Sequence, residues 1–430
     1  MTGVAPQSGG SDFVQVGATR DGLDPYLDCA RSRRMRAVLV ETASYLRRRR
    51  DLGRRQFDVE LAVSRPEDPR QVIAALAEAG IAPALLLTGF ERYVDAAFTA
   101  ARSLGTAPWP RMGATFEPLH KQEQRAALAR VAPELPQPRS AVLAADGGVS
   151  RTDLAYPQVV KPVDGGGGLG VLLAADEAQR RQALSVITGL RNYGGASFEA
   201  VITEEFVRGP EVSLQGVVRA GRVYLLSVCH KLTAVEPQDA PGATGLSGFR
   251  EIGHVAEHGD HADAALHRLA RSAVEAAGYR EGPFHLDAIL GDAGPVFVEM
   301  GFRLSGGGLV ALVAASTGMD WADIAVRCHL DDTPPALLPP RSRRGVAGQV
   351  SLTSPQELAV AEAMADVDPD VRMLHLPAPP ERDLPAVDRA ALASDVLRHA
   401  GALGRLLITG DHVDEVLKNL RSVVADRWEG

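Results

Sequence analysis

Apolar residues along this chain fall into short runs broken by polar turns, with no long uniform stretch. Ala37, Val38, Leu39 and Val40 form a run of the length and composition of a strand buried on both faces. Positions 72–79 repeat apolar residues at helical spacing and end at Gly80. A second buried-strand run occupies 84–87, and helical spacing over 91–104 stops at Gly105. Strand, helix, strand, helix predicts a small parallel α/β domain over 35–118. Residues 1–34 are rich in Gly, Ser, Asp and Arg without sustained periodicity, and are expected to be a flexible leader.

Further on, 119–131 reads as a polar helix, and Pro133, Pro136 and Pro138 mark a hinge. From 139 to 330 the pattern shifts to short β-rich runs with tight glycine turns and two helices, a mixed α+β region. Pro334, Pro335, Pro339 and Pro340 read as a linker. Strands at 348–352 and 405–409 and a closing helix at 413–424 then predict a C-terminal α/β lobe over 341–430. The longest apolar runs, 82–88 and 217–228, are short or interrupted by charge, well below the ~20 residues of a membrane span. The opening residues lack a basic segment followed by an apolar one, so a soluble, cytoplasmic protein is expected.

Composition narrows the function. A net charge of −8 over 430 residues repels phosphate backbones, which argues against nucleic-acid binding. The arginine clusters at 31–36 and 47–50 are sparse in aromatics and are expected on a solvated or subunit-facing surface. Cys29, Cys229 and Cys328 are too few and too dispersed for a disulfide framework or a paired-cysteine metal site. His254, His258, His261 and His267 lack the spacing of a zinc helix and are expected in a polar, exposed region. Only four of the 46 basic residues are lysines: Lys121, Lys161, Lys231 and Lys418. Where a surface cation suffices the chain uses arginine, so a retained lysine can mark a place that needs a compact, flexible point charge.

Three segments carry candidate chemistry. Lys161 precedes Gly165, Gly166, Gly167, Gly168 and Gly170. These glycines fit a dinucleotide-binding pattern, but 171–174 continues as a strand where that fold requires a helix. The segment is therefore read as a hairpin whose bare backbone amides can close over phosphate oxygens. Glu204, Glu205, Phe206 and Val207 lead through a Gly-Pro turn into Glu211, offering backbone groups to a base edge and a carboxylate to ribose hydroxyls. Asp287 and Glu299 fall on adjacent strands joined by a short turn, where facing carboxylates need a cation between them. Arg303 follows, able to fork onto a carboxylate or phosphoryl group.

In order and spacing these elements resemble the ATP-grasp superfamily, and within it the carboxylate–amine ligases of the L-amino-acid ligase and biotin-carboxylase-like branch. The resemblance runs over 82–330, with an extension to 423. It implies an ATP-grasp fold, α/β and α+β multidomain: a parallel N-terminal α/β domain, a small subdomain with a glycine-rich lid at 119–200, a large subdomain with the Mg site at 201–333, and the C-terminal lobe. Lys121 and Lys161 fall on the two ATP-binding lysines, Gly166–Gly168 on the lid, Glu204–Val207 on the adenine hinge and Glu211 on the ribose position. Asp287 and Glu299 fall on the metal-binding carboxylates and Arg303 on the arginine that steadies the acyl-phosphate transition state. Lys231 is implied as a second catalytic residue, with His230, His254, Ser305 and Gly306 in the substrate loop. Many members carry Asn two residues beyond the second carboxylate, where this chain has Gly301.

The resemblance implies ATP with Mg²⁺ (or Mn²⁺) as cofactors, small carboxylate and amine substrates, a homodimer, and no nucleic-acid or membrane partner. The implied reaction is amide or peptide bond formation through an acyl phosphate. Transfer of the acyl phosphate to a carrier-protein thiol, carboxylation of a small substrate, and a non-catalytic nucleotide-binding subunit stand as alternatives.

Overall fold

The structure, a computed structural model, describes residues 12–106, 120–143, 153–192, 196–237, 243–330, 345–375 and 402–427. Its first layer is a parallel sheet of β1 (Asp12–Val16), β2 (Arg36–Thr42), β3 (Val59–Val63) and β4 (Pro83–Thr88), in the order β3-β2-β1-β4. Helices α1 (Pro25–Ser32), α2 (Ala43–Asp51), α3 (Pro69–Glu78) and α4 (Val94–Leu104) cover it. Val14, Val38 and Val40 on one face meet Val72, Leu76 and Ala97. On the other, Phe13, Leu39 and Leu85 share a core with Tyr26, Leu27 and Trp321.

Two expectations for this layer are corrected. Residues 12–32 are not a leader: Asp12–Val16 is buried along its whole length as a central strand, and Pro25–Ser32 packs beside it. Five residues that include Asp12 and Gln15 carry too little apolar signal to be read as a strand, and Asp12 is accommodated by Arg36 at 2.7 Å. Nor is the arginine cluster at 47–50 simply solvated, because Arg48 and Arg49 are buried. Arg49 pairs with buried Asp24 at 2.7 Å. Arg20 pairs with buried Glu41 at 2.8 Å, its guanidinium lying over the rings of Tyr45 and Phe90.

The second layer is a 12-stranded antiparallel sheet. Its central path uses β5 (Ser140–Leu143), β6 (Gln158–Pro162), β7 (Leu172–Ala174), β8 (Val201–Glu205), β9 (Glu211–Arg219), β10 (Arg222–Pro237), β11 (Ser247–His258), β12 (Gly282–Gly291) and β13 (Gly294–Gly301). The order is β13-β12-β9-β10-β11-β7-β6-β8-β5. From β11 a branch continues through β14 (Val346–Leu352) to β16 (Gly404–Gly410) and β15 (Val371–His375).

Among the described residues four α-helices lie between 139 and 330 rather than two: α6 (Glu177–Gly189), α7 (Ala264–Ala277), α8 (Leu309–Thr317) and α9 (Trp321–Leu330). The short α8 is almost uniformly apolar, so it does not show the amphipathic period that reveals a helix. α5 (Lys121–Val131) packs on α7, and α10 (Pro355–Val367) and α11 (Val413–Val423) cover the C-terminal strands. The proline stretch at 334–340 lies outside the described residues. Among the described residues no single helix is long and apolar enough to cross a membrane.

Candidate active site

A cavity of about 670 Å³ opens where the parallel layer, the large sheet and the C-terminal strands meet. Its geometry begins with the β6–β7 hairpin. Val160 pairs with Leu172, and the intervening tip places Gly167, Gly168 and Gly170 at φ of +61°, +76° and +72°. That left-handed backbone is open to glycine and strained for other residues, so these three positions call for glycine. The antiparallel return of β7 is what the sequence reading required in place of a dinucleotide-binding helix.

Three of the four lysines line this cavity, each against a carboxylate. Lys161, at the end of β6, meets Glu204 of β8 at 2.8 Å. Arg125 of α5 grips the same carboxylate, its Nε donating at 2.7 Å. Burial pulls the Lys161 ammonium below its ordinary pKa although Glu204 opposes the shift. Burial disfavours charge on Glu204 too, yet Lys161 and Arg125 outweigh it and hold the carboxyl below its usual range. The Glu204 carboxylate is therefore held by Lys161 and Arg125.

Lys121 opens α5, which Gln124 stitches to β13 by accepting from Met300 N and donating to Met300 O, both at 2.9 Å. Lys121 Nζ consequently lies 2.9 Å from Glu299 and donates to Gly165 O at 2.5 Å, joining α5, β13 and the glycine tip. Partial burial disfavours charge on Glu299, but Lys121 and Lys161 overcome that and lower its pKa to about 2. Across the ladder Glu299 is the direct register partner of Asp287. Asp287 accepts from Ser213 Oγ at 2.6 Å, and Lys231 Nζ sits between Asp287 and Glu211 at 2.5 and 2.6 Å. Burial would lower the Lys231 pKa, but its carboxylate neighbours hold it well above the ordinary value. Glu211 is shifted upward by burial and by the nearby Asp287 charge, despite Lys231.

One end of the cavity is apolar: Phe206 stacks on Phe249 with ring centroids 6.1 Å apart, near Val207, Ile289 and Val296. Glu205 pairs at the rim with Arg139 at 2.8 Å. The other end is polar. Arg303 Nε lies 2.6 Å from Glu91, just beyond β4, and its Nη1 donates to Leu304 O. Ser305, Gly306 and His254 line the same end.

His254 is buried rather than exposed, and meets Glu251 at 3.3 Å. Surrounding protein atoms disfavour charge on the half-exposed Glu251, but His254 and Lys231 bring its carboxyl down to about 2. His230 does not line the cavity. Strand alternation turns it to the opposite face from Lys231, where its ring meets Glu257 at 2.9 Å. His258 and His261 pair separately with Asp260 and Glu257 at 3.2 and 2.7 Å. Among the described residues no group of three or more His, Cys, Asp and Glu side chains is gathered as a metal centre. Cys29, Cys229 and Cys328 are free thiols, all buried.

Sequence reasoning missed the contribution of the parallel layer and of the C-terminal strands: Asp21, Glu91, Arg92, Gln349 and Arg405 all line the cavity. They carry no local motif. It also missed His285, whose imidazole fills the space over Gly301: a Cβ built at Gly301 would lie 2.2 Å from His285 Cε1. The chain departs from the Asn pattern at the very place where the cross-strand ring leaves no room for a side chain.

Comparison with known proteins agrees with this architecture. Residues 126–307 match the family model described as an ATP-grasp domain. Dapdiamide A synthase of Enterobacter agglomerans is 26% identical over 152 residues, 35% of this chain and 34% of that protein. Phosphoribosylamine–glycine ligase of Listeria monocytogenes is 28% identical over 151 residues, 34% of this chain and 36% of that protein. The chain thus matches about a third of the length of these curated relatives. The crystal structure of L-amino acid ligase from Bacillus licheniformis superposes with a TM-score of 0.71 at 19% identity, covering 97% of both chains. That of carboxyaminoimidazole ribonucleotide synthase from Aspergillus clavatus, complexed with ATP, gives 0.65 at 16% identity, covering 98% of this chain and all of that one. With a parallel sheet leading into a large antiparallel sheet and a glycine hairpin over paired lysines, the chain shares the fold of these solved structures, and its segment 126–307 matches an ATP-grasp domain.

Proposed function

We propose that this protein is an ATP-dependent carboxylate–amine ligase that activates a small carboxylic acid or amino acid as an acyl phosphate and passes it to an amine. The observation that carries this reading is the convergence of Lys121 and Lys161, both buried, and the partly buried Lys231, each against a carboxylate, in one cavity below a glycine hairpin. Buried ammonium groups held in fixed places are what a transferring phosphoryl group requires, since its chemistry depends on positioning and charge neutralisation. In this reading the Phe206 end holds the adenine ring. Lys161 and Lys121 face the phosphates, and amides at Gly166, Gly167 and Gly168 cover them.

Asp287 and Glu299 form an oxygen-only donor pair on adjacent strands, which suits Mg²⁺. Lys231 Nζ, caught between Glu211 and Asp287, supports the reading that positive charge is favoured beside these carboxylates. When bound there, Mg²⁺ supplies electrostatic withdrawal of charge from phosphate oxygens. Arg303, kept in place by Glu91, stabilises charge on the reacting carboxyl group and then on the oxyanion formed as the amine attacks. Closure of the glycine tip excludes water from the activated acid. His254, Ser305 and Gly306 border the acid at the polar end.

The test is ADP and phosphate release from Mg·ATP with amino acids and small acids offered singly and in pairs, with mass spectrometry of products. Release that needs a pair and yields a condensed mass supports a carboxylate–amine ligase. Turnover that needs a carrier protein or bicarbonate but no free amine would replace it, and bound ATP with no ADP across the panel would reject catalysis.

A further inference from the structure

We infer that Arg92 is the substrate-carboxylate anchor of this site, holding a carboxylate of the acid or amine substrate that does not react; this rests on the ligase reading above. The parallel sheet runs β3-β2-β1-β4, so successive strands leave β1 in one direction and then resume on its other side at β4. In open α/β sheets the crevice outside the carboxyl ends of the strands at such a reversal binds small molecules. Here the segment after β1 brings Asp21 into the cavity, and the segment after β4 brings Phe90, Glu91 and Arg92. The parallel layer thus presents its own binding crevice to the polar end.

Arg92 differs from the other cations around the cavity. Arg250 is engaged by Glu236 at 3.0 Å, Arg303 by Glu91 at 2.6 Å and Arg427 by Glu357 at 2.6 Å, while Arg405 feels the charges of Asp21 and Glu251. The three lysines have the carboxylates described above. Arg92 is half-buried and lines the cavity, and its side chain makes no ion pair or hydrogen bond among the described residues. A planar fork held next to the Glu91–Arg303 pair, with no carboxylate of the protein upon it, fits a bidentate anion. A ligase joining an acid to an amino acid leaves one such group free: the α-carboxylate of the amine substrate, or a second carboxylate of the acid.

The experiment uses the full chain and the acid–amine pair that supports ADP release in the wild type, together with the same compound carrying its non-reacting carboxylate as the amide. Arg92→Ala is expected to raise KM for the carboxylate compound about ten- to hundredfold, the range of a lost charged hydrogen bond, with KM for ATP within about twofold. Arg92→Lys should recover part of the loss, because the charge returns without the fork. The amide compound should be poor with the wild type and indifferent to the substitution. Unchanged KM for the carboxylate compound in Arg92→Ala, or a rise in KM for ATP of equal size, overturns the inference while leaving the ligase reading intact. A wild-type protein silent across the whole panel overturns the ligase reading first, and the inference with it.

Discussion

Arg303 and Glu91 meet at 2.6 Å across the junction of the two layers, one beyond β13 of the antiparallel sheet and the other beyond β4 of the parallel sheet. The arginine expected to work on the reacting carboxyl group is thus oriented by a different part of the chain, so the site is complete only when both layers are docked.

Substitution of Glu91 should therefore cost both stability and turnover. Glu91→Gln removes the charge opposite a buried guanidinium and is expected to destabilise the protein by about 2 kcal/mol. ADP release should fall about tenfold or more through kcat, with KM for ATP little changed, because the residues proposed to hold the nucleotide lie elsewhere. A melting curve and rate indistinguishable from wild type would mean that the pair is idle.

Glu204 should behave as the anchor of Lys161. Glu204→Gln leaves both Lys161 and Arg125 without their buried counter-charge, a change of about 3–5 kcal/mol. ATP affinity should weaken because Lys161 loses its fixed position. Adding Lys161→Met to Glu204→Gln should recover part of the stability but none of the affinity, a non-additivity that chemical denaturation and calorimetric titration of ATP can measure. Simple addition of the two stability losses would argue against the coupling.

Gly301→Ala is expected to collide with His285, since the new Cβ would fall 2.2 Å from Cε1 of its ring. Overpacking of this kind costs about 1–3 kcal/mol. The companion variant His285→Ala should relieve most of that loss when combined with Gly301→Ala, which thermal melts of the single and double variants will show.

Stability in acid should depend in part on Glu357. Its carboxylate is disfavoured by burial, but Arg427 at 2.6 Å and the Thr353 amide outweigh that and hold its pKa below the ordinary value. A carboxyl depressed in the folded state stabilises the fold fully above the unfolded pKa, about 4.3, and loses that contribution as pH falls through the folded value. Wild-type melting temperature should accordingly drop below about pH 4.3, whereas Glu357→Gln should start lower at neutral pH and lose less on acidification. Parallel curves for the two proteins would contradict this.

Local pattern was enough wherever neighbours in sequence are neighbours in space. The glycine tip, the β12–β13 pair that sets Asp287 opposite Glu299, and the helix closed by Gly105 were legible because strand and helix periods and hairpin turns act over a few residues. Sparse lysine usage marked three cavity residues because a surface that accepts arginine has no need of an ammonium group. Glu204 shows the limit of such reading: the strand was found, but its inward carboxylate depends on Arg125 and Lys161 arriving from other elements.

What the sequence by itself determined is therefore the set of strands and hairpins around the glycine-tip end of the cavity, together with the lysines and carboxylates they carry. Only the tertiary structure decided that Asp12–Val16 is a central strand and that Arg48 and Arg49 are buried. It also decided that His230 faces away and that the polar end is finished by Glu91, Arg92 and Arg405. The reason is physical: periodicity reports the burial of an average face, whereas a buried charge, or a side chain delivered from a distant loop, is fixed by the partner it meets once the layers have packed.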